Sequence, residues 1–294
     1  MNKVIFKGSC VAIVTPMKNG KVDFDSFEKL LNFQIENGTS AILVLGTTGE
    51  PPTLTAEEKH EVIKFANRVI NKRVKLIVGT GGNNTEKVVE DSKFAIENGA
   101  DALLVVTPYY NKCTQNGLIE HYSYITDKIK FPIIVYNVPG RTGVNIQVKT
   151  AQKLAENEFI CGIKEASGNI DQITELCAVL GDKLAIYSGD DALNYVFMTL
   201  GAMGGISVTA NVFPREVAQV IDDCFAGNFD SARKLHEKLL PVNKGMFIEV
   251  NPIPVKTAME MVGLCGSEMR LPLTQMEKEN KDKLQKIIND FKNA

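Results

Sequence analysis

One lysine stands near the end of an apolar run, where its amine could act as a nucleophile. Lys164 lies in the stretch FICGIKEASGN, residues 159–169, and is followed by an acid and a turn of small residues. Lysine normally keeps its charged head in water. Partial desolvation disfavours the ammonium form, and a neutral lysine amine forms Schiff bases with carbonyl compounds. The alternative is a lysine that pairs with a carboxylate or extends its amine to solvent.

A turn rich in hydroxyl groups could bind a small anion. The segment VLGTTGEPPTL, residues 44–54, carries Thr47 and Thr48 between two glycines. Two hydroxyls and the free backbone N–H groups of one turn can hold a carboxylate. The motif is weak by itself, because Gly-Thr turns are common.

Phenols and a guanidinium follow two further apolar runs. Tyr109 and Tyr110 lie in TPYYNK, and Tyr136 and Arg141 lie in YNVPGRTG. Phenols near an anion or an imine can relay protons, and a guanidinium can bind a carboxylate with two hydrogen bonds. The commoner roles are a packed tyrosine with a hydrogen-bonded hydroxyl and an arginine solvated in a loop.

Composition argues against several classes of partner. The formal net charge of -2 gives no electrostatic reason to expect nucleic acid or an anionic membrane. The three histidines are isolated, so we expect no metal site. Six scattered cysteines without a CxxC pair indicate a reduced protein, and no apolar run has the length of a signal peptide or a membrane span. We therefore expect a cytoplasmic protein.

Eight short runs rich in β-branched residues recur along the chain, each followed by a segment with helical spacing. They lack polar alternation, as expected for parallel strands buried on both faces. The runs are residues 10–16, 41–46, 75–80, 100–106, 131–137, 160–164, 184–189 and 204–208. The pattern predicts a (β/α)8 TIM barrel. An open doubly wound sheet is the alternative, although the first strand turn lacks its GxGxxG signature.

We predict a catalytic barrel over residues 1–225 and a C-terminal helical region over residues 226–294. Catalytic groups of such barrels gather where the strands end at their carboxyl side. The polar residues expected at that mouth are Thr47, Thr48, Tyr109, Tyr110, Tyr136, Arg141, Lys164 and Ser188. Lys256, in the helical region, is interpreted as a buried stem with its head in water.

Four motifs together carry a resemblance to a known family. GTTGE, TPYYNK, YNVPGRTG and GIKEASGN, in this order and spacing, resemble the 4-hydroxy-tetrahydrodipicolinate synthases, which are pyruvate-dependent aldolases. The resemblance covers the full chain, including GDDALN and GGISVTANVFP. It implies a lyase of lysine and diaminopimelate biosynthesis in which Lys164 forms an imine with pyruvate. The derived enamine attacks L-aspartate 4-semialdehyde, and no metal or organic cofactor is needed.

The resemblance also implies roles for individual residues. Thr47 and Thr48 match positions that bind the pyruvate carboxylate. Thr48, Tyr136 and Tyr110 match a proton relay, and Arg141 matches the residue that holds the carboxylate of the semialdehyde.

Two further matches concern the pocket, and one concerns assembly. Gly189 and Ile206 match backbone-lined positions near the imine. Tyr110 is lent by a neighbouring subunit in the family, which implies a homodimer at least and usually a dimer of dimers.

Related enzymes supply the alternatives. Sialic acid lyases share the lysine and the tyrosine but tend to carry Ser-Thr in the second-strand turn and to lack the Gly-Arg pair, so Arg141 favours the synthase. An aldolase for another keto acid, such as a keto-deoxy sugar acid, is the second enzymatic hypothesis. A barrel that binds a keto acid without turnover is a third, against which the lysine, the threonines and the phenols together argue.

One departure from the family pattern concerns feedback by lysine. The positions that form the allosteric pocket in lysine-inhibited members hold Pro51, Pro52, Ala56 and Lys59, and Lys87 replaces an acid. Extra cations disfavour a cationic ligand. We therefore predict weak or absent inhibition by lysine, although Asn83 and Tyr109 still match.

Overall fold

Eight parallel strands close into a barrel in the computed structural model, which describes residues 4–293. The strands are β1 (Gly8–Ala12), β2 (Ala41–Val44), β3 (Lys75–Gly79), β4 (Ala102–Val106), β5 (Ile133–Asn137), β6 (Ile160–Glu165), β7 (Ala185–Ser188) and β8 (Gly204–Ser207). Each strand pairs with its sequence neighbours, and β1 pairs with both β8 and β2, which completes the ring. The predicted TIM barrel is confirmed, and the open sheet is excluded.

Helices alternate with the strands. They are α1 (Phe24–Glu36), α2 (Ala56–Ile70), α3 (Thr85–Glu97), α4 (Gln115–Ile129), the short α5 (Pro139–Thr142), α6 (Val148–Ala155), α7 (Ile170–Leu180), α8 (Asn194–Thr199) and α9 (Pro214–Phe225). Thr55 and Glu58 form the capping box that their spacing predicts at the start of α2. A small hairpin, Met17–Lys18 with Lys21–Val22, was not predicted.

The carboxyl ends of six strands differ from the sequence prediction by one residue or more, and β1 and β6 are the two that bear on the site. β1 stops at Ala12, four residues early, because the backbone then turns to side-chain partners and the Val14 N–H donates to Asn211 Oδ1 at 3.0 Å. β6 continues one residue further, to Glu165. Lys164 is therefore the penultimate residue of its strand.

The barrel interior has its own apolar cluster, separate from the core between strands and helices. Phe6 and Tyr187 stack there with ring centroids 4.4 Å apart, and the Tyr187 hydroxyl donates to the Phe6 carbonyl at 3.0 Å. Gly162 leaves room for this ring, since a Cβ at that position would lie 3.0 Å from Tyr187. Side chains therefore fill this part of the interior, as is usual in such barrels.

Three further helices follow the barrel: α10 (Phe229–Gly245), α11 (Ile253–Met261) and α12 (Lys278–Asn293). They form the predicted helical region, and the division at residue 225 stays a prediction, with residues 1–3 and 294 outside the described chain. No helix within residues 4–293 has the length and apolar character needed to cross a membrane.

The interpretation of Lys256 as a solvated lysine is wrong. Its side chain on α11 is completely buried, and its ammonium group is enclosed by oxygen atoms. Because these oxygens come from three other parts of the chain, local sequence could not reveal them.

Candidate active site

Lys164 points into the barrel beside Tyr136. The two residues are register partners on β6 and β5, and their exposed fractions are 5% and 6%. Lys164 Nζ lies 4.3 Å from the centroid of the Tyr136 ring. The amine is thus brought to a phenol in a nearly dry setting, as the strand-end argument predicts.

The acid next to Lys164 in the sequence does not neutralise it. Successive strand residues face opposite sides of a sheet, so Glu165 points away from the interior. Its carboxylate accepts hydrogen bonds from Asn137 Nδ2 at 2.8 Å and from the Ser167 N–H at 2.6 Å. None of the ion pairs among residues 4–293 includes Lys164. The alternative of a paired, merely structural lysine therefore loses its support.

Small and apolar groups surround the lysine stem. A Cβ at Gly189 would lie 3.0 Å from Lys164 Cε and 2.7 Å from Ala166 Cβ, so only glycine leaves this space open. Ile206 is buried in the interior cluster on β8, where its register partner is Cys10. Burial raises the pKa of the Cys10 thiol to about 12 despite the charge of Lys164, which keeps the thiol neutral.

The two threonines lie in a single 3₁₀ turn, Thr47–Gly49, directly after β2. Thr15, three residues after β1, fixes this turn, since its hydroxyl donates to the Gly49 carbonyl at 2.8 Å. Thr48 is buried, and its Oγ1 accepts a hydrogen bond from Asn251 Nδ2 at 3.0 Å. Thr47 is half-buried and lines the cavity described below.

Arg141 lies at the rim of the mouth, in the short helix α5. Its side chain is exposed, and Nη2 donates to the Asn251 carbonyl at 3.2 Å. Asn251 therefore contacts both a predicted relay hydroxyl and the predicted carboxylate-binding arginine. Sequence reasoning missed this residue, because a lone Asn-Pro pair in the helical region carries no signal of its own.

Tyr110 differs from the other three predicted catalytic residues, which are buried. It is 91% exposed and adopts the left-handed region at φ 70°. Ser188 also has a different position from the one expected: it is buried, and its hydroxyl donates to the Asp190 carbonyl at 2.9 Å.

A cavity of about 420 Å³ opens at the mouth of the barrel. Thr47, Tyr136, Arg141 and Asn251 line one part of it. Its volume suits a small organic substrate. Among residues 4–293, no three His, Cys, Asp or Glu side chains are grouped so that they could hold a metal ion.

The same cavity continues to the predicted feedback pocket, where it is lined by Pro51, Pro52, Ala56, Lys59, His60, Lys87, Asp91, Phe94 and Tyr109. His60 stacks on Phe94 with ring centroids 3.5 Å apart. Lys87 Nζ forms ion pairs with Asp91 at 2.6 Å and Glu90 at 3.4 Å.

Comparisons with known proteins identify the family of this chain. The sequence model of the dihydrodipicolinate synthetase family matches residues 5–291. The 4-hydroxy-tetrahydrodipicolinate synthase of Thermodesulfovibrio yellowstonii is 51% identical over 284 residues, which are 97% of this chain and 98% of that protein.

Solved structures extend the likeness to the fold. The crystal structure of dihydrodipicolinate synthase from Aquifex aeolicus is 49% identical, with a TM-score of 0.95 and 98% of each chain covered. A structure described as the first monomeric dihydrodipicolinate synthase variant is 40% identical, with a TM-score of 0.97 and 99% of each chain covered.

Proposed function

The chain belongs to the dihydrodipicolinate synthetase family, and on that premise we propose that the groups at its barrel mouth perform the family's reaction with Lys164 as nucleophile. The enzyme is a lyase that condenses pyruvate with L-aspartate 4-semialdehyde to give 4-hydroxy-tetrahydrodipicolinate, in lysine and diaminopimelate biosynthesis. The observation that carries the residue assignment is the buried amine of Lys164, which forms no ion pair within residues 4–293 and lies 4.3 Å from the centroid of the Tyr136 ring.

Lys164 begins the reaction by attack on the keto carbon of pyruvate. The new C–N bond replaces the carbonyl oxygen, which leaves as water, and the product is a protonated imine. Because the iminium withdraws electrons, the adjacent methyl group loses a proton, and the iminium becomes an enamine. The enamine carbon then forms a C–C bond with the aldehyde carbon of the semialdehyde, whose oxygen takes up a proton. Finally, the amino group of the semialdehyde attacks the imine carbon and displaces Lys164, which closes the ring.

Proton transfers at the imine belong to Tyr136, Thr48 and Tyr110 in this proposal. The Tyr136 ring lies beside the amine, with its centroid 4.3 Å from Lys164 Nζ, so we assign its phenol to protonate the departing oxygen and to take protons back. Thr48 passes protons between the phenols. Its burial supports this role, because a hydroxyl shielded from water transfers protons along a defined path.

The two carboxylates of the substrates have separate binding groups. Thr47 and Thr48 hold the carboxylate of pyruvate through their hydroxyls and the N–H groups of their turn. Arg141 binds the carboxylate of the semialdehyde at the rim. The backbones of Gly189 and Ile206 shape the space beside the imine.

Tyr110 acts across a subunit interface in this proposal. Its exposed position supports this assignment, because the other two residues of the proposed relay, Thr48 and Tyr136, are buried within the chain. We propose a homodimer in which each subunit contributes Tyr110 to the active site of the other, with a dimer of dimers as the full assembly. We also propose a cytoplasmic location, supported by six scattered cysteines without a CxxC pair.

A substrate panel tests the function directly. Pyruvate with aspartate semialdehyde should turn over at least about a hundredfold faster, in kcat/KM, than pyruvate with sugar-derived aldehydes. Cleavage of sialic acid or of a keto-deoxy sugar acid at a comparable kcat/KM would instead identify another aldolase. Lys164→Ala, assayed alongside, should show no turnover of any substrate.

A further inference from the structure

A buried ion pair joins the C-terminal helical region to the catalytic turn. Lys256 on α11 and Glu50, the residue after the Thr47–Gly49 turn, are both almost fully buried, and Nζ lies 2.7 Å from Glu50 Oε1. Nζ also donates to the Thr15 carbonyl at 3.0 Å and to the Glu268 carbonyl at 2.6 Å. The three hydrogens of the ammonium group thus have three oxygen partners, which fixes its position.

Glu50 connects the ammonium group of Lys256 to the turn that carries the two threonines. The Glu50 N–H donates to the Thr47 carbonyl at 3.2 Å, and Glu50 adopts the left-handed region at φ 57°. Thr15 contacts both parts, since its carbonyl binds Lys256 and its hydroxyl binds the Gly49 carbonyl. Hydrogen bonds therefore connect the segment after β1, the turn and α11.

The second carboxylate oxygen of Glu50 differs from the first in its hydrogen bonding. Oε2 is buried and has no hydrogen-bond partner within residues 4–293, and Glu50 lines the same cavity as Thr47. A carboxylate so close to a site for an anionic keto acid would repel that substrate unless a cation offset its charge. The repulsion is strong where water is excluded.

The ion pair between Lys256 and Glu50 is not explained by a gain in the free energy of folding. Desolvation of two charges largely offsets their attraction, so a buried pair contributes little compared with apolar residues of the same size. The pair instead positions the turn and balances the charge of Glu50.

We propose that Lys256 is a positioning residue for pyruvate: it offsets the charge of Glu50 and holds the carboxylate-binding turn in place. The proposal rests on the proposed binding of the pyruvate carboxylate by Thr47 and Thr48. It makes the C-terminal helices a part of the pyruvate site.

Three variants separate charge from shape. Lys256→Met leaves the Glu50 carboxylate uncompensated, so the KM for pyruvate should rise at least about tenfold, whereas kcat at saturating pyruvate should fall much less. Glu50→Gln keeps a carbonyl oxygen for Lys256 and removes the negative charge, so the KM should stay within about threefold of wild type. The double variant carries neither charge and should recover most of the KM lost in Lys256→Met.

Lys281→Met is the matched control. Lys281 also pairs with a glutamate of α11, Glu260, at 3.3 Å, but both side chains are exposed. Its removal should leave both kinetic constants unchanged.

A purely structural role predicts a different pattern. The proposal is overturned if the double variant binds pyruvate no better than Lys256→Met, or if Glu50→Gln raises the KM as much as Lys256→Met does. Should Lys256→Met fail to fold, Lys256→Gln carries the same charge change and keeps amide donors for the carbonyls. If neither single variant folds, a folded and active double variant supports the charge argument, and an unfolded one contradicts it.

Borohydride reduction of the wild-type enzyme with pyruvate separates this proposal from the function beneath it. An adduct on Lys164 without the expected KM pattern would remove the role of Lys256 and leave the function intact. Absence of that adduct would remove the imine mechanism, and the role of Lys256 with it.

Discussion

Asn251 Nδ2 donates a hydrogen bond to Thr48 Oγ1 over 3.0 Å, between residues 203 positions apart in the sequence. Because the threonine oxygen accepts this bond, its own hydrogen is free to donate to another group. The amide therefore sets the direction in which a buried hydroxyl can pass a proton. The Asn251 Oδ1 atom is buried and has no hydrogen-bond partner within residues 4–293, so Asn251 acts here as a donor and not as an acceptor.

Asn251→Leu is expected to slow turnover by about tenfold, the typical worth of one hydrogen bond, with little change in the KM for pyruvate. Asn251→Asp has nearly the same shape, but an ionised carboxylate accepts and cannot donate, so it should lose kcat as well. Steady-state kinetics on both variants check this. A wild-type kcat in Asn251→Asp would show that the direction of the bond does not matter.

Tyr110→Phe should lower kcat by about a hundredfold while pyruvate still forms its imine, because the phenol is needed for proton transfer. Steady-state kinetics on this variant check the expectation.

A mixture of two variants tests whether Tyr110 completes the active site of a neighbouring subunit. Tyr110→Phe and Lys164→Ala are each inactive or nearly so, but subunit exchange would create dimers with one complete site. The mixture should regain up to about a quarter of wild-type activity. No recovery after verified exchange would place Tyr110 in its own subunit's site.

Arg141→Ala should raise the KM for aspartate semialdehyde about ten- to a hundredfold, the range for a lost hydrogen bond to a charged group, and leave the pyruvate KM nearly unchanged. Arg215→Ala is a suitable control, since that guanidinium binds Asn37 Oδ1 on the outer surface at 3.1 Å. An unaltered semialdehyde KM in Arg141→Ala would contradict the assigned role.

L-Lysine is expected to inhibit weakly or not at all. Lys59 and Lys87 line the part of the cavity where feedback would act, and only Lys87 is offset by ion pairs, with Glu90 and Asp91. Lys59, which forms no ion pair within residues 4–293, therefore repels a cationic ligand. Initial rates at increasing lysine concentration check this. An inhibition constant in the low millimolar range or below would contradict it.

Much of the fold could be predicted because barrel strands are buried on both faces and read as continuous apolar runs. The position of Lys164 followed from the same logic, since a residue at the carboxyl end of such a strand faces the mouth. Gly189 and Ile206 could be assigned only through the family resemblance, because their contribution is backbone and space rather than a reactive side chain.

The contacts that the sequence did not reveal are long-range and irregular. Lys256 reaches Glu50 across 206 positions, and Asn251 reaches Thr48 across 203. No periodicity links these residues, and lysine in apolar company usually extends to water. Such partners are determined by how the helical region packs on the barrel mouth, which only the folded chain displays.

Borohydride trapping with pyruvate, followed by peptide mapping, tests the central claim most directly. The wild-type enzyme should carry one reduced adduct, on the peptide that contains Lys164, and only when pyruvate is present. Lys183→Ala, which changes an exposed lysine just before β7, should keep the adduct, and Lys164→Ala should lose it. An enzyme that turns over without a trapped adduct, or with the adduct on another lysine, would contradict the proposed chemistry.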